Sequence, residues 1–185
     1  MNWALLLKNC INKMMKIAVI SGAGLSAESG LKTFRDAGGL WEGYRIEDVA
    51  TPEAWRKSPQ LVLNFYNARR RQLLEVQPNI AHHAIAQAES WAEIYVITQN
   101  VDDLHERAGN KKILHLHGEL FKVKPEKGSG ASLEWKKDIH IGDTSPDGIQ
   151  LRPDIVWFGE DVTVWPRATH WASLCQAVLI VGTSL

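Results

Sequence analysis

Four clusters of residues in this sequence combine types and spacings that could do chemistry. The first, Gly22-Ala23-Gly24-Leu25-Ser26-Ala27, fits G-x-G-x-x-[GA]. Glycine in such a loop permits a sharp turn and lets the backbone approach a pyrophosphate, whose charge meets the unpaired N–H groups at a helix start. The second and third are Gln99-Asn100-Val101-Asp102 and His115-Leu116-His117-Gly118. Histidine suits general-base work because its ordinary pKa of about 6.5 leaves much of it neutral near pH 7. Strand alternation places His115 and His117 on one face, so periodicity does not choose between them. Asn and Asp at a strand end read equally as turn-formers. The fourth cluster is Phe65-Tyr66-Asn67-Ala68-Arg69. On a helix, positions i and i+3 share a face, which brings Tyr66 and Arg69 together. A guanidinium grips a carboxylate bidentately and a phenol adds a third hydrogen bond, so the pair suits an acyl chain ending in an acid. Arg69-Arg70-Arg71 also reads as a solvated basic face, and Tyr66 as a packing aromatic.

These clusters need elements to position them. Lys16 to Ser21 (KIAVIS) reads as a buried strand running into Gly22, and further strand-length apolar runs occur at Ile94 to Thr98, Ile113 to Leu116, Ile155 to Phe158 and Ala177 to Val181. Between them lie helical patterns, Pro52 to Glu75 and Pro78 to Ala92, the latter with Asn79 as cap. Strands alternating with helices predict an α/β fold, a Rossmann-like parallel sheet with helices on both faces. The expected organisation is one domain: a Rossmann part over about 15–36, 78–121 and 151–185, and a small inserted helical lobe over about 37–77 and 122–150. An ordinary dehydrogenase is disfavoured, because Glu42 lies near the spacing of a ribose-binding acid but no second strand precedes it.

Composition narrows the classes. Among 185 residues, 45% are hydrophobic and 23% charged, which is globular usage. Lys+Arg and Asp+Glu both number 21, so no bulk field draws the chain to nucleic acid or to anionic lipid. The apolar run Trp3 to Leu7 is too short for a signal core or a membrane span. Cys10 and Cys175 supply neither a four-thiolate zinc site nor a disulfide framework, and a reducing cytoplasm is the simplest home.

Read on through Glu28-Ser29-Gly30-Leu31-Lys32-Thr33-Phe34-Arg35, and taken with Thr98-Gln99-Asn100-Val101-Asp102, His115-Leu116-His117-Gly118 and Gly182-Thr183-Ser184, the sequence resembles the sirtuins, NAD-dependent protein deacylases. The resemblance runs from about Lys16 to the last residue. It implies that an acyl-lysine carbonyl oxygen attacks C1′ of the nicotinamide ribose of NAD, that nicotinamide leaves, and that a histidine acts as base on a ribose hydroxyl. The family's histidine-then-glycine pattern selects His117 as that base, with Asn100 on the ribose and Asp102 on the nicotinamide carboxamide. Cofactor contacts are implied for Gly22, Ala23, Gly24, Ser26, Ala27, Glu28, Thr33, Phe34, Arg35, Trp41, Gln99, Val101, Gly182, Thr183 and Ser184. Tyr66 and Arg69, with the small Ala50, resemble the pocket of the sirtuin class that removes succinyl and malonyl groups. Val156, Trp157, Phe158 and Gly159 resemble the segment that binds substrate peptide by strand addition.

Two departures from the family pattern shape the expectations. Lys122 to Gln150 holds no cysteine where most sirtuins bind a structural zinc, so that module is degenerate and no zinc is expected. The family continues beyond Gly182-Thr183-Ser184-Leu185, so part of its C-terminal segment is expected to be missing. The principal reading is an NAD-dependent lysine deacylase acting on acylated protein or peptide, preferring succinyl or malonyl lysine and also removing acetyl. The alternatives are a protein mono-ADP-ribosyltransferase and a non-catalytic NAD or acyl-peptide binding module.

Overall fold

The computed structural model describes residues 14–31, 40–41, 43–128 and 130–183. Strand β1 (Met15–Ser21) is followed by the short helix α1 (Ala23–Ala27), and then by the hairpin strands β2 (Leu40–Trp41) and β3 (Tyr44–Arg45). Three helices follow: α2 (Ile46–Val49), α3 (Pro52–Lys57) and α4 (Pro59–Glu75). Helix α5 (Ile80–Ala88) leads into β4 (Ala92–Thr98), and α6 (Leu104–Ala108) into β5 (Ile113–His115). Strands β6 (Gly118–Pro125), β7 (Leu133–Glu134) and β8 (Leu151–Ile155) precede α7 (Trp165–Ser173) and β9 (Ala177–Val181).

The β-branched strands form a parallel sheet in the order β5-β4-β1-β9. Helices pack against both faces of its inner strands, as continuous apolar runs require, whereas Val178, Leu179 and Ile180 of the edge strand β9 are exposed. On one face Ile85 of α5 packs with Val19, Ile94 and Val96, and on the other Ala168 of α7 packs with Ile97, Leu114 and Leu116. A second sheet, β7-β6-β8, is antiparallel. Its apolar side chains Leu120, Val123, Leu151 and Ile155 share a core with Val62, Leu63, Tyr66 and Leu73 of α4. The α/β Rossmann-like architecture predicted from the alternation is therefore the one observed, with the antiparallel sheet beside it.

Local chemistry explains where the expected elements are cut differently. The single helix expected over Pro52 to Glu75 is two, because Ser58 precedes Pro59 and takes an extended-side conformation (φ −151°, ψ 73°). Thr51 caps the first by accepting from Ala54 N–H at 3.0 Å. Asn79 caps α5, accepting from the Ala81 and His82 N–H groups. The strand expected over Ile155 to Phe158 ends at Ile155, and the Lys122 to Pro125 part of the expected insert belongs to β6.

Register is what matters for the site. Val181, Ser21, Thr98 and His115 pair in sequence across the parallel sheet and form one row at its carboxyl edge. The residues that follow each of them are therefore delivered side by side, at the edge where ligands bind in open α/β sheets.

Candidate active site

The glycine loop uses its freedom for close packing within the chain. Gly22 N–H donates to the Val181 carbonyl and Gly24 N–H to the Gly182 carbonyl, at 3.1 and 2.9 Å. A Cβ on Gly22 would stand 2.7 Å from the Gly182 oxygen, and one on Gly182, which holds φ +66°, would stand 2.2 Å from Leu25 N. The loop expected to approach a pyrophosphate is thus first a clasp between the ends of β1 and β9.

Beside it, a cavity of about 490 Å³ opens at the carboxyl edge of the sheet. Ala23, Ser26, Gln99, Asn100, Asp102 and His117 line it, together with Ala50, Tyr66 and Arg69 from the helical side. Val101, Val156, Trp157, Phe158 and Gly159 line it too, so residues proposed from separate parts of the sequence meet around one space. Apolar walls come from Leu31, Leu73, Leu120, Ile155 and Val162. Ala27 and Glu28 are exposed and lie outside its lining. Gly22, Gly24, Gly182 and Thr183 are likewise not lining residues, but Thr183 donates from Oγ1 to Gln99 Oε1 at 3.1 Å. Thr33, Phe34, Arg35 and Ser184 lie outside the described residues, as does the side chain of Trp41.

The polar floor is tightly bonded. Ser26 Oγ donates to Asp102 Oδ2 at 2.8 Å and accepts from Asn100 Nδ2 at 3.0 Å, while Leu104 N–H donates to Asp102 Oδ1. Asn100 N–H donates to Thr98 Oγ1, which is hydrogen-bonded to Ser21 Oγ below it. Burial raises the Asp102 carboxyl above its ordinary range, against the hydrogen bonds from Ser26 and Leu104. Asn100 and Asp102 thus present an amide and a carboxyl group held in fixed orientation, and Asp102, accepting from the N–H two residues on, forms a turn as well.

The two histidines separate, contrary to simple alternation, because β5 ends at His115. His117 lines the cavity, and its Nδ1 faces the Gln99 carbonyl oxygen at 3.0 Å. That carbonyl only accepts, so Nδ1 carries the hydrogen and Nε2 keeps the lone pair. Burial lowers the His117 pKa despite the Gln99 carbonyl, favouring the neutral ring. His115 instead borders a second cavity on the other side of the segment, with Glu106 and Glu119.

The helical side of the cavity is built on α4. Tyr66 is fully buried and its hydroxyl accepts from Trp157 Nε1 at 3.1 Å. Burial first of all drives the phenol pKa upward, so it stays a neutral donor. Arg69 is 9% exposed and lines the cavity, while Arg70 is wholly buried and turned elsewhere, to the Leu120 carbonyl and Asn67 Oδ1. The solvated basic face of the alternative reading is confined to Arg71, which is exposed and pairs with Asp138. Glu160, at the end of the Ile155-to-Glu160 segment, accepts from Trp157 N–H and Arg152 and so fixes Trp157 at the cavity, a role the sequence did not indicate.

The segment Val156 to Gly159 is already partly bonded. Val156 N–H donates to the His117 carbonyl, Phe158 N–H to the Ala50 carbonyl, and Trp157 N–H to Glu160. These bonds tie the segment to both the histidine strand end and the helical side. Among the described residues the single His and carboxylate group with metal-like spacing is Glu106, His115 and Glu119. Lys122 lies 2.7 Å from Glu119 and His115 pairs with Glu106, so the charges there balance within the protein. No helix among the described residues is long and apolar enough to cross a membrane.

A Rossmann-type sheet whose carboxyl edge brings a neutral histidine, a buried amide and a buried carboxylate to one cavity defines a nucleotide-handling α/β protein. Residues 22–185 match the Sir2 family model, and the chain belongs to that family. It is 56% identical over 172 residues to an NAD-dependent protein deacylase of Helicobacter pylori, covering 93% of this chain and 74% of that protein. A Bacteroides thetaiotaomicron protein of the same description is 51% identical over 187 residues, covering 93% of this chain and 76% of its own length. Among solved structures, a Sir2 homologue in complex with NAD superposes with a TM-score of 0.82 at 39% identity, covering 100% of this chain and 73% of that one. A Sir2 homologue mutant bound to ADP-ribose gives 0.84 at 38% identity, covering 100% of this chain and 75% of that one.

Proposed function

We propose that the chain is an NAD-dependent protein lysine deacylase that prefers acyl groups ending in a carboxylate and also removes acetyl. The observation that carries this reading is that His117, Asn100, Asp102, Tyr66 and Arg69 line one cavity of about 490 Å³. The donor set suits NAD: a buried carboxylate accepts from a carboxamide, and an adjacent buried amide bonds hydroxyls. NAD, when bound, supplies the sugar carbon that receives the acyl oxygen and nicotinamide as leaving group. His117 Nε2 takes the proton of a ribose hydroxyl, because its Nδ1 is committed to the Gln99 carbonyl. Asp102, held by Ser26 and Leu104, orients the carboxamide, and Asn100 the ribose. The apolar lining excludes water, which strengthens each of these polar contacts.

Arg69 and Tyr66 recognise the far end of the acyl chain, the guanidinium bidentately and the phenol as a third donor. The same description in the relatives from Helicobacter pylori and Bacteroides thetaiotaomicron supports the deacylase activity. The test is nicotinamide release from NAD with succinyl-, malonyl- and acetyl-lysine peptides, using the chain and its Arg69→Met variant. Loss of desuccinylation with deacetylation largely kept supports the reading; equal loss of both contradicts a carboxylate-reading role.

A further inference from the structure

His115 and His117 hold consecutive carbonyl oxygens of one loop, those of Asn100 and Gln99. They differ in what meets the other ring nitrogen. His117 lines the active-site cavity, whereas His115 Nε2 lies 2.8 Å from Glu106 Oε1. His115 Nδ1 in turn lies 2.8 Å from the Asn100 oxygen. A carbonyl and a carboxylate are acceptors only, so one imidazole satisfies both when each nitrogen carries a hydrogen. The His115 side chain is 6% exposed, which keeps these partners in a poorly screened setting.

We infer that His115 is a positioning residue for the proposed deacylation: as an imidazolium pinned by Glu106, it grips the Asn100 carbonyl and fixes the Asn100-to-Asp102 loop against the cavity. The inference rests on the reading of that loop as the NAD-binding wall. The charged groups facing His115 come from each neighbouring element. Glu106 and the His105 imidazole come from α6, Glu119 from β6 and Asp102 from the loop that precedes α6. Burial works against the charge, but Glu106 and the Asn100 carbonyl outweigh it and leave the His115 pKa raised. Glu106, although burial works against its charge, is held below the ordinary carboxylate range by His115. Lys122, bonded to Glu119, keeps that second carboxylate balanced. A raised histidine pKa keeps both ring hydrogens in place to higher pH than in an ordinary histidine; as pH climbs through the folded-state value the remaining hydrogen stays on Nε2, toward the Glu106 carboxylate, and the grip on the Asn100 carbonyl is released.

The test follows the Val101 backbone amide, which shares a peptide group with the Asn100 carbonyl, by NMR across a pH titration of the full chain. The His115 ring is followed in the same spectra, and kcat/KM for nicotinamide release is measured over the same range. Expected are one common midpoint above about 6.5 for ring and amide, and an alkaline fall in kcat/KM at that midpoint. In Glu106→Gln all three move down by about one pH unit. His115→Gln donates to the same carbonyl without titrating, and removes the alkaline fall. A Val101 amide that ignores the His115 titration overturns the inference, as does an alkaline limb that stays in place in Glu106→Gln. Absence of nicotinamide release in the unmodified chain at every pH would instead count against the deacylase reading, and the Val101 amide then decides the positioning role alone.

Discussion

The two histidines of one short segment have their pKa values moved in opposite directions by their surroundings. His117, half-buried with a single carbonyl partner, has its pKa lowered first of all by burial. His115, with a carboxylate at one end and a carbonyl at the other, has it raised. Because the neutral ring is the proposed base, activity is expected to fall on the acid side only as pH drops through the lowered His117 value. The expected kcat/KM profile therefore stays level below the ordinary histidine value of about 6.5 before it declines, and a decline centred at or above that value contradicts the assignment. On the acyl side, Arg69→Met removes a charge-assisted contact worth about 1.5–3 kcal/mol, so kcat/KM for a succinyl peptide should drop roughly 10- to 150-fold. Acetyl peptide, which has no carboxylate to bind, should lose far less.

At the scale of elements, two joints hold the site together, and each can be cut. Asn67 of α4 bonds both ends of Ile139, Nδ2 donating to its carbonyl at 2.8 Å and Oδ1 accepting from its N–H at 2.9 Å. The same oxygen accepts from the buried Arg70, whose pKa burial pushes down to about 10. Asn67→Ala leaves buried groups without partners, and denaturant unfolding should show a loss of about 2–3 kcal/mol. The second joint is the glycine clasp. In Gly182→Ala a Cβ meets Leu25 N at 2.2 Å in a left-handed backbone, so α1 must shift. A lower Tm with weakened NAD binding is expected, and unchanged NAD affinity by calorimetry contradicts the clasp's role. The four strands of the parallel sheet, the Asn79 cap and the glycine loop were legible in the sequence because each is specified by near neighbours, whereas the antiparallel sheet was not. The clasp was not, since Gly22 and Gly182 lie 160 positions apart and nothing local to Gly22 names its partner. The break at Ser58–Pro59 was local but was hidden by an apolar pattern continuing across it.

At the scale of the whole molecule, one register links separate motifs. Pairing of Ser21 with Thr98 and Val181, and of Thr98 with His115, aligns four strand ends so that the loops after them share one edge. The parallel sheet follows from the alternation of strands and helices, but the alignment of its ends depends on pairing that no single segment encodes. The same limit applies to His115: its spacing matched that of His117, and only the end of β5 and the reach of Glu106 from α6 set it apart. Arg70 likewise shares a basic run with Arg69 but is turned into the core by the Leu120 carbonyl.

The most direct measurement is mass-spectrometric product analysis of a succinyl-lysine peptide incubated with NAD and either the chain or its His117→Ala variant. The account predicts free lysine peptide, nicotinamide and O-succinyl-ADP-ribose from the unaltered chain, and no deacylated peptide above background from the variant. Deacylation that survives in His117→Ala, or ADP-ribose attached to protein in place of the O-acyl product, would contradict it.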